Sequence, residues 1–467
     1  MDNPALSKTL GELRASQYTH LDIRNVLRNN LIRDLSEGVT TFPNVIGYDD
    51  TVLPQLQHAI LSGHDILLLG ERGQAKTRLL RSLTNLLDDY TPYIAGCDIL
   101  DHPFNPICSR CKTLVNEEGD QTQIDWLNKN DRYTEKLATP DVSMADLIGD
   151  IDPIKVAEGR YLSDDFTIHY GLIPRSNRGI FCINELPDLP ERIQVGMFNL
   201  MEERDIQIKG YKIQLPLDIL VVATANPEDY TNRGRIITPL KDRYGAQIRT
   251  HYPKSIDEEI AIMEQESTRF PDSEAIVSVP KYMKEIIAGF TAAARNSGDI
   301  NQRSGVSARI SIANYETLIA SAMRRSILYH DKHTAPRISD LENLVISTSG
   351  KIELDTLEEG SEGKIIKGLI DKSVRTVFNS YFKLDEFEQL IQSFEDGLIV
   401  ETSPAQSSQK LMEAAPDIEC LHNAFMKLDV KDKPELQASA VEFVLEGLHL
   451  MQKVNRFASA GSRQYST

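Results

Sequence analysis

Four short apolar runs stand out from an otherwise mixed chain: Ile66–Leu69, Tyr93–Ala95, Ile180–Ile183 and Ile219–Ala223. Each is brief, β-rich and close to fully apolar, the pattern of a parallel strand buried on both faces. Amphipathic stretches of helical spacing separate them, which predicts a three-layer α/β domain around a parallel sheet. After Tyr252-Pro253 the strand signals fade. Ile256–Ser267, Pro280–Asn296, Ser307–Tyr329 and Ser339–Ser349 read as helices of a smaller all-α domain. Gly350–Gly363 is glycine-rich and acidic and reads as a linker or exposed loop. The expected division is a helical lead-in over 1–40, an α/β core over 41–255 and an all-α domain over 256–350. A C-terminal helical region over 351–457 and a disordered tail over 458–467 follow.

The first apolar run opens the most informative stretch, Ile66–Thr77 (ILLLGERGQAKT). The run stops at Gly70, and a helical pattern begins after Lys76. Backbone N–H groups at a helix N-terminus face an anion there, and the helix dipole adds to the attraction. Gly70, Glu71, Arg72, Gly73, Gln74, Ala75, Lys76, Thr77 and Arg78 would wrap the phosphates of a nucleotide. Lys76 would reach the β/γ-phosphates, and the Thr77 hydroxyl would hold Mg²⁺. The pattern G-x-x-x-x-G-K-[ST] has Gly where Ala75 stands. Alanine accepts right-handed helical φ/ψ but not φ > 0. The expectation is that Ala75 already lies in the first helical turn and that Gly73 makes the sharp turn. An ordinary glycine-containing strand–helix turn is the bland alternative.

Two further runs end in polar groups suited to hydrolysis. Gly179–Leu189 (GIFCINELPDL) places Asn184-Glu185 at the end of a strand. Nucleotide hydrolysis needs a Mg²⁺ ligand at the first position and a carboxylate that polarises water at the second. Glu185 suits its role. Asn184 keeps an acceptor oxygen but lacks the charge of the usual Asp. Ile219–Pro227 ends at Asn226, whose amide can contact the γ-phosphate or orient water. Alone, each pattern is also that of a core strand ending in polar residues or a turn. Order and spacing favour function, because ligands of open α/β sheets sit at the carboxyl ends of the strands. Arg243, just beyond the last strand, and Arg309, at a helix start, are candidates to stabilise charge on the transferring phosphoryl group. Alone, each is more often a surface salt-bridge arginine.

Composition narrows the partners. The 467 residues are 41% hydrophobic and 26% charged, an ordinary globular balance, with a net charge of −18. A field of that sign repels nucleic acid and anionic membrane. The N-terminus lacks an apolar core of signal-peptide type, and no apolar run approaches ~20 residues. Five cysteines in so long a chain do not make a disulfide framework. The expectation is a cytoplasmic protein with no nucleic-acid partner and no membrane insertion. Cys97, His102, Cys108 and Cys111 fall within fifteen residues, and Cys108-Ser-Arg-Cys111 has the gap that lets two thiolates bind one tetrahedral ion. Two readings stand level: a structural Zn²⁺ knuckle, or reduced cysteines with His102 on the surface. Cys182, inside an apolar strand, reads as packing.

These elements, in this order, resemble the AAA+ ATPases, with the closest likeness to the magnesium-chelatase I-subunit and MoxR-like group. The resemblance runs from about Phe42 to Tyr329. It includes the 97–111 segment, Ala138–Asp152, Tyr170–Ile180 and Pro239–Gly245. It implies an AAA+ P-loop core followed by an all-α lid and further helices, with ATP and Mg²⁺ as cofactors. Lys76 and Thr77 fall on the Walker A pair, Asn184 and Glu185 on the Walker B pair, and Asn226 on sensor 1. Arg243 falls on the arginine finger acting on a neighbouring subunit, and Arg309 on the sensor-2 arginine of the lid. Val45, Ile46 and Gly47 match the segment that cups adenine, and 148–172 matches the insert that projects toward a pore or partner. The family pattern implies a homo-oligomeric ring, usually a hexamer. It also implies a partner carrying a von Willebrand/integrin-type domain, here a separate protein, since this chain has no Asp-x-Ser-x-Ser motif. The leading expectation is an ATP-driven protein-remodelling ATPase. A nucleotide-gated scaffold with little turnover and a metal-chelatase ATPase subunit are the alternatives. An enhancer-dependent transcription activator is disfavoured, because the Gly-Ala-Phe-Thr-Gly-Ala loop is missing.

Overall fold

The computed structural model describes residues 7–151, 168–203, 215–226, 234–268, 276–302, 305–354, 361–431, 433–459 and 462–466. The chain divides into two units, Met1–His251 and Tyr252–Thr467. No helix among the described residues is long and apolar enough to cross a membrane.

The first unit opens with α1 (Leu10–Ala15), α2 (Ile23–Glu37) and α3 (Val52–Ser62). Then come β1 (Ile66–Leu69), α4 (Lys76–Ser82), β2 (Tyr90–Ile94), α5 (Ser109–Glu118), β3 (Ile124–Asn128) and β4 (Tyr133–Leu137). β5 (Gly149–Ile151) and β6 (Ile168–Tyr170) pair antiparallel and flank residues 152–167, so most of the expected insert lies outside the described residues. β7 (Gly179–Asn184), β8 (Ile219–Ala225) and β9 (Ala246–Arg249) complete the sheet. The order is β4-β7-β8-β1-β9, every pairing parallel.

The strands of this sheet alternate between two apolar cores, which is what makes three layers. Leu67, Leu69, Phe181, Ile183, Val221 and Ala223 face one core with Ile94, Ile173 and Leu240. Ile66, Leu68, Ile180, Cys182, Leu220 and Val222 face the other, against α2, α3 and α4. A period of two on both faces, with both faces dry, is why these strands read as continuous apolar runs.

One expected strand is corrected. The run at Tyr93–Ala95 belongs to β2, which pairs antiparallel with β3 outside the main sheet. The strand beside β7 is instead Tyr133–Leu137, whose register sets Glu135 opposite Cys182 and Leu137 opposite Asn184. It lies at the sheet edge and carries Thr134, Glu135 and Lys136, so no apolar run marks it. The N-terminal segment is tied to β3 by Leu10 N–H donating to Thr122 O and Ile124 N–H to Lys8 O, both at 2.9 Å.

The second unit is mainly helical. Its long helices are Ile256–Glu266, Lys281–Arg295, Ala308–Tyr329, Ser361–Tyr381 and Pro434–Leu450. They surround a core that stacks Tyr282 on Phe443, ring centroids 4.5 Å apart. Two short strands, β10 (Ile276–Val277) and β11 (His333–Thr334), run parallel. The region expected to be helical also contains β12 (Val400–Thr402) and β13 (Asn455–Ser459). The tail expected to be disordered is corrected as well: β14 (Ser462–Ser466) pairs with both. Its alternation sends Tyr465 inward, wholly buried, where its hydroxyl donates to Glu446 Oε2 at 2.6 Å. Two inward side chains among small polar residues are enough to order the segment, though they leave the composition looking like a tail.

Candidate nucleotide site and cysteine cluster

At the end of β1 the Gly70 N–H donates to Ala225 O at 3.1 Å. Gly70 has no room for a side chain. A Cβ there would collide with Thr250 Oγ1 and Gln74 Oε1. Gln74 closes the loop, accepting from Glu71 N–H at 3.0 Å and from the Thr250 hydroxyl at 2.7 Å. The Tyr48 hydroxyl lies 2.8 Å from both the Gln74 and the His251 carbonyl oxygens and shares its proton between them. Burial pushes the Tyr48 pKa up to about 12. The preceding Val45 is buried, and Ile46 and Gly47 are half-buried, so Tyr48 ties that segment to the loop.

The expectation for Ala75 is corrected. Gly73 (φ 75°) and Ala75 (φ 53°) are both left-handed, and Ala75 is the N-cap of α4 rather than a residue of its first turn. The physical reason lies one residue back. Gln74 is fixed at its carbonyl by Tyr48 and at its side chain by Thr250, so the chain enters α4 by turning left at 75. Lys76 is 7% exposed. Its Nζ donates to Gly70 O at 2.5 Å and to Glu71 O at 2.8 Å. Thr77 is half-buried, Arg72 is exposed, and Arg78 donates to Asn44 O at 3.2 Å.

β7 and β8 end on the same edge of the sheet. Asn184 is buried, its amide N–H donating to Glu135 Oε1 on the neighbouring β4. Its Oδ1 accepts from the Thr224 hydroxyl at 3.2 Å. Thr224 in turn accepts from Glu185 N–H at 3.1 Å, so one hydroxyl on β8 links both residues at the β7 end. Glu185 is left-handed (φ 55°, ψ 50°) and half-buried. Asn226, 2% exposed, follows β8 directly, beside the Leu69 end of β1. Glu135 Oε2 accepts from Arg81 Nε at 2.7 Å, and Arg81 lies one helical turn beyond Thr77.

Both candidate arginines lie away from these strand ends in sequence. Arg243 closes the helix Thr238–Arg243; it pairs with Glu202 at 2.5 Å and lies over the Phe198 ring at 4.4 Å. Arg309 is exposed in the second unit, in the first turn of the helix Ala308–Tyr329.

The cysteine segment folds into a buried cluster with a different fourth member from the one expected. Cys97, Asp101, Cys108 and Cys111 bring their side-chain ligand atoms within 4.8 Å of one another. His102 is not among them. Its Nδ1 accepts from Phe104 N–H at 3.0 Å, and its ring centroid lies 3.9 Å from that of His20 with the planes tilted by 32°. Burial drives its pKa down to about 2. Cys182 is wholly buried in β7, as expected of a packing residue.

Sequence reasoning missed Glu135, Tyr48, Thr224, Thr250 and Asp101. Asp101 alone carried a signal, as an acidic residue between the cysteines. The other four act through contacts with residues distant in sequence that no spacing announces.

No family model matches the chain. It is 23% identical over 267 residues to the magnesium-chelatase subunit ChlI of Cyanidium caldarium, covering 54% of this chain and 68% of that protein. It is 24% identical over 205 residues to a ChlI homolog of Methanocaldococcus jannaschii, covering 43% of this chain and 51% of that protein. Among solved structures, the BchI–BchD magnesium-chelatase complex matches at 17% identity and a TM-score of 0.37, over 70% of this chain and 99% of that one. The chain thus spans 51% to 68% of the length of these two curated relatives. In sequence and in its α/β P-loop core followed by helices, the chain is similar to the AAA+ ATPases of the magnesium-chelatase I-subunit and MoxR-like group.

Proposed function

We propose that this chain is an ATP-hydrolysing subunit of a ring and drives conformational change in a partner protein. One observation carries the reading. The adjacent strands β1, β8 and β7 end at one sheet edge in the Gly70–Lys76 loop, Asn226 and Asn184-Glu185. The donor set fits Mg²⁺, a hard cation that takes oxygen ligands: the Thr77 hydroxyl, the Asn184 amide oxygen and the neighbouring Glu135 carboxylate. Bound Mg²⁺ neutralises charge on the β/γ-phosphates. Lys76 exchanges its two neutral carbonyl partners for anionic phosphate oxygens, which make the stronger charge-assisted bonds. Glu185 accepts the proton of the attacking water, and Asn226 orients that water. Arg243 serves the neighbouring subunit's ATP, and Arg309 keeps the sensor-2 assignment that the resemblance gives it. The ring is read as a hexamer in the cytoplasm, with a separate von Willebrand/integrin-type protein as partner. A structural metal ion in the 97–111 segment belongs to the same reading.

The test is a pair of variants. Lys76→Ala loses nucleotide binding. Glu185→Gln keeps binding and lowers steady-state turnover by about 10²-fold or more. Full ATPase activity in Glu185→Gln would remove the catalytic assignment. A second reading, a nucleotide-gated scaffold, is favoured by the neutral amide at Asn184. Single-turnover experiments separate the two, because a scaffold binds ATP without releasing phosphate.

A further inference from the structure

We infer that Cys97, Asp101, Cys108 and Cys111 form a tetrahedral zinc site that rigidifies the 97–111 loop against which the residues before β7 are hydrogen-bonded. This deepens the structural-metal part of the reading above and is independent of the ATP site. The geometry comes first. A zinc tetrahedron with bonds of about 2.3 Å has ligand–ligand edges of about 3.8 Å. The four ligand atoms already lie within 4.8 Å of one another, so a small side-chain contraction closes the site.

The second observation is an unsatisfied carboxylate. Asp101 is wholly buried. Its Oδ2 accepts from Ile107 N–H at 3.1 Å and from Cys108 N–H at 3.0 Å. Its Oδ1 has no partner, and no cationic side chain pairs with Asp101 among the described residues. A buried carboxylate left this way is costly unless a cation completes it. The sulfurs are prepared in the same direction. Asp101 N–H donates to Cys97 Sγ at 3.3 Å, and Cys111 N–H donates to Cys108 Sγ at 3.4 Å. Cys108 also caps the N-terminus of the ten-residue α5. Amide donors and a helix N-terminus both favour thiolates, the form that binds metal. A disulfide between any two of these cysteines would leave the third thiol and the carboxylate unexplained.

The loop so held is hydrogen-bonded to the residues that precede β7. Asn177 Nδ2 donates to Ile99 O at 3.1 Å. Arg178 donates to Pro92 O at 2.6 Å and to Leu100 O at 3.4 Å. These two residues immediately precede β7, the strand that ends in Asn184-Glu185. A metal holding Cys97 and Asp101 therefore fixes the carbonyls that anchor the front of that strand.

The test uses the full chain, purified without chelators from zinc-supplemented cells. Elemental analysis should return about one equivalent of zinc. X-ray absorption at the zinc edge should show three sulfurs at about 2.3 Å and one oxygen at about 2.0–2.2 Å, with no imidazole. Cys108→Ser should fall below about a tenth of an equivalent, whereas His102→Phe, which keeps an aromatic ring beside Tyr18, His20 and Phe104, should retain the metal. Unmodified protein that holds no zinc and gives no thiolate charge-transfer band with added Co²⁺ overturns the inference. So does imidazole in the ligand shell, or iron in place of zinc. Binding of a fluorescent ATP analogue, measured on the same samples, keeps the two readings apart. Zinc-free wild type that binds ATP ends this inference alone, and zinc-loaded protein that binds no ATP ends only the nucleotide reading.

Discussion

Replacing Ala75 by Gly should stabilise the first unit, although the same change at an ordinary helical position destabilises. Ala75 sits at φ 53°, ψ 18°. That conformation costs an L-residue about 1–2 kcal/mol, because Cβ approaches the following carbonyl oxygen. Glycine escapes the clash but adds about 0.5–1 kcal/mol of chain entropy to the unfolded state. The difference favours Gly by about 0.5–1 kcal/mol. The assay is built into the chain, since its sole tryptophan, Trp126, lies in β3 of the same unit. Its indole N–H donates to Ser7 O at 2.8 Å, so its fluorescence reports unfolding of that unit. With a urea m-value of about 3 kcal/mol/M, the Ala75→Gly midpoint should rise by about 0.2–0.3 M. Ala75→Val should lower it, because a β-branched residue at positive φ is a genuine outlier. A right-handed Ala75 predicts the opposite sign for glycine, a fall of about 0.5–1 kcal/mol as in a helix interior. A lower midpoint for Ala75→Gly would therefore refute the left-handed assignment, whatever the nucleotide site does.

Glu135→Gln removes the charge beside Asn184 and should raise the Mg²⁺ concentration needed for ATP binding by about tenfold, roughly the worth of one charged hydrogen bond; Mn²⁺ titration reads it. Asn184→Asp sets two carboxylates side by side, so one should titrate well above its ordinary value in the metal-free protein, visible by NMR or by pH-dependent Mg²⁺ affinity. Tyr48→Phe leaves two carbonyls without their shared donor and should cost about 1–3 kcal/mol in the Trp126 urea assay. The folded pKa of Tyr48, about 12, lies above the ordinary 10, so its contribution is full below pH 10 and is lost as pH climbs toward 12. Tyr48→Phe should flatten that part of the stability profile.

What the sequence disclosed follows from which residues are buried on two sides. β1, β7 and β8 are central, and every one of their residues is buried, so their apolar runs show the strands directly. β4 and β9 flank them, and their polar residues leave no run to find. β2 imitated a core strand because Thr91, Pro92 and Ile94 are buried and Tyr93 half-buried, although its partner is β3 outside the main sheet. Chemistry at strand ends was legible for the same reason the central strands were. Lys76, Asn184, Glu185 and Asn226 each stand at or just beyond a visible boundary. Asp101 and His102 differ by one position, and only the fold of the loop decides which of them turns toward the sulfurs.

Asn184 looks like a deficiency when β7 is read alone. Once β4 is placed beside it, the missing charge reappears one strand away. Glu135 accepts from the Asn184 amide and is held by Arg81, which shares a face of α4 with Thr77. Arg81 costs the site something, since a guanidinium opposes a divalent cation as firmly as it steadies a carboxylate. The arrangement works for Mg²⁺ only if Arg81 yields when the ion arrives. At 64% side-chain exposure Arg81 can turn into water, whereas Glu135, at 22%, stays. Arg81→Ala should then tighten Mg²⁺-dependent ATP binding and leave Mg²⁺-free binding unchanged. Weaker Mg²⁺-dependent binding in that variant would mean that Arg81 positions Glu135 for the ion rather than competing with it.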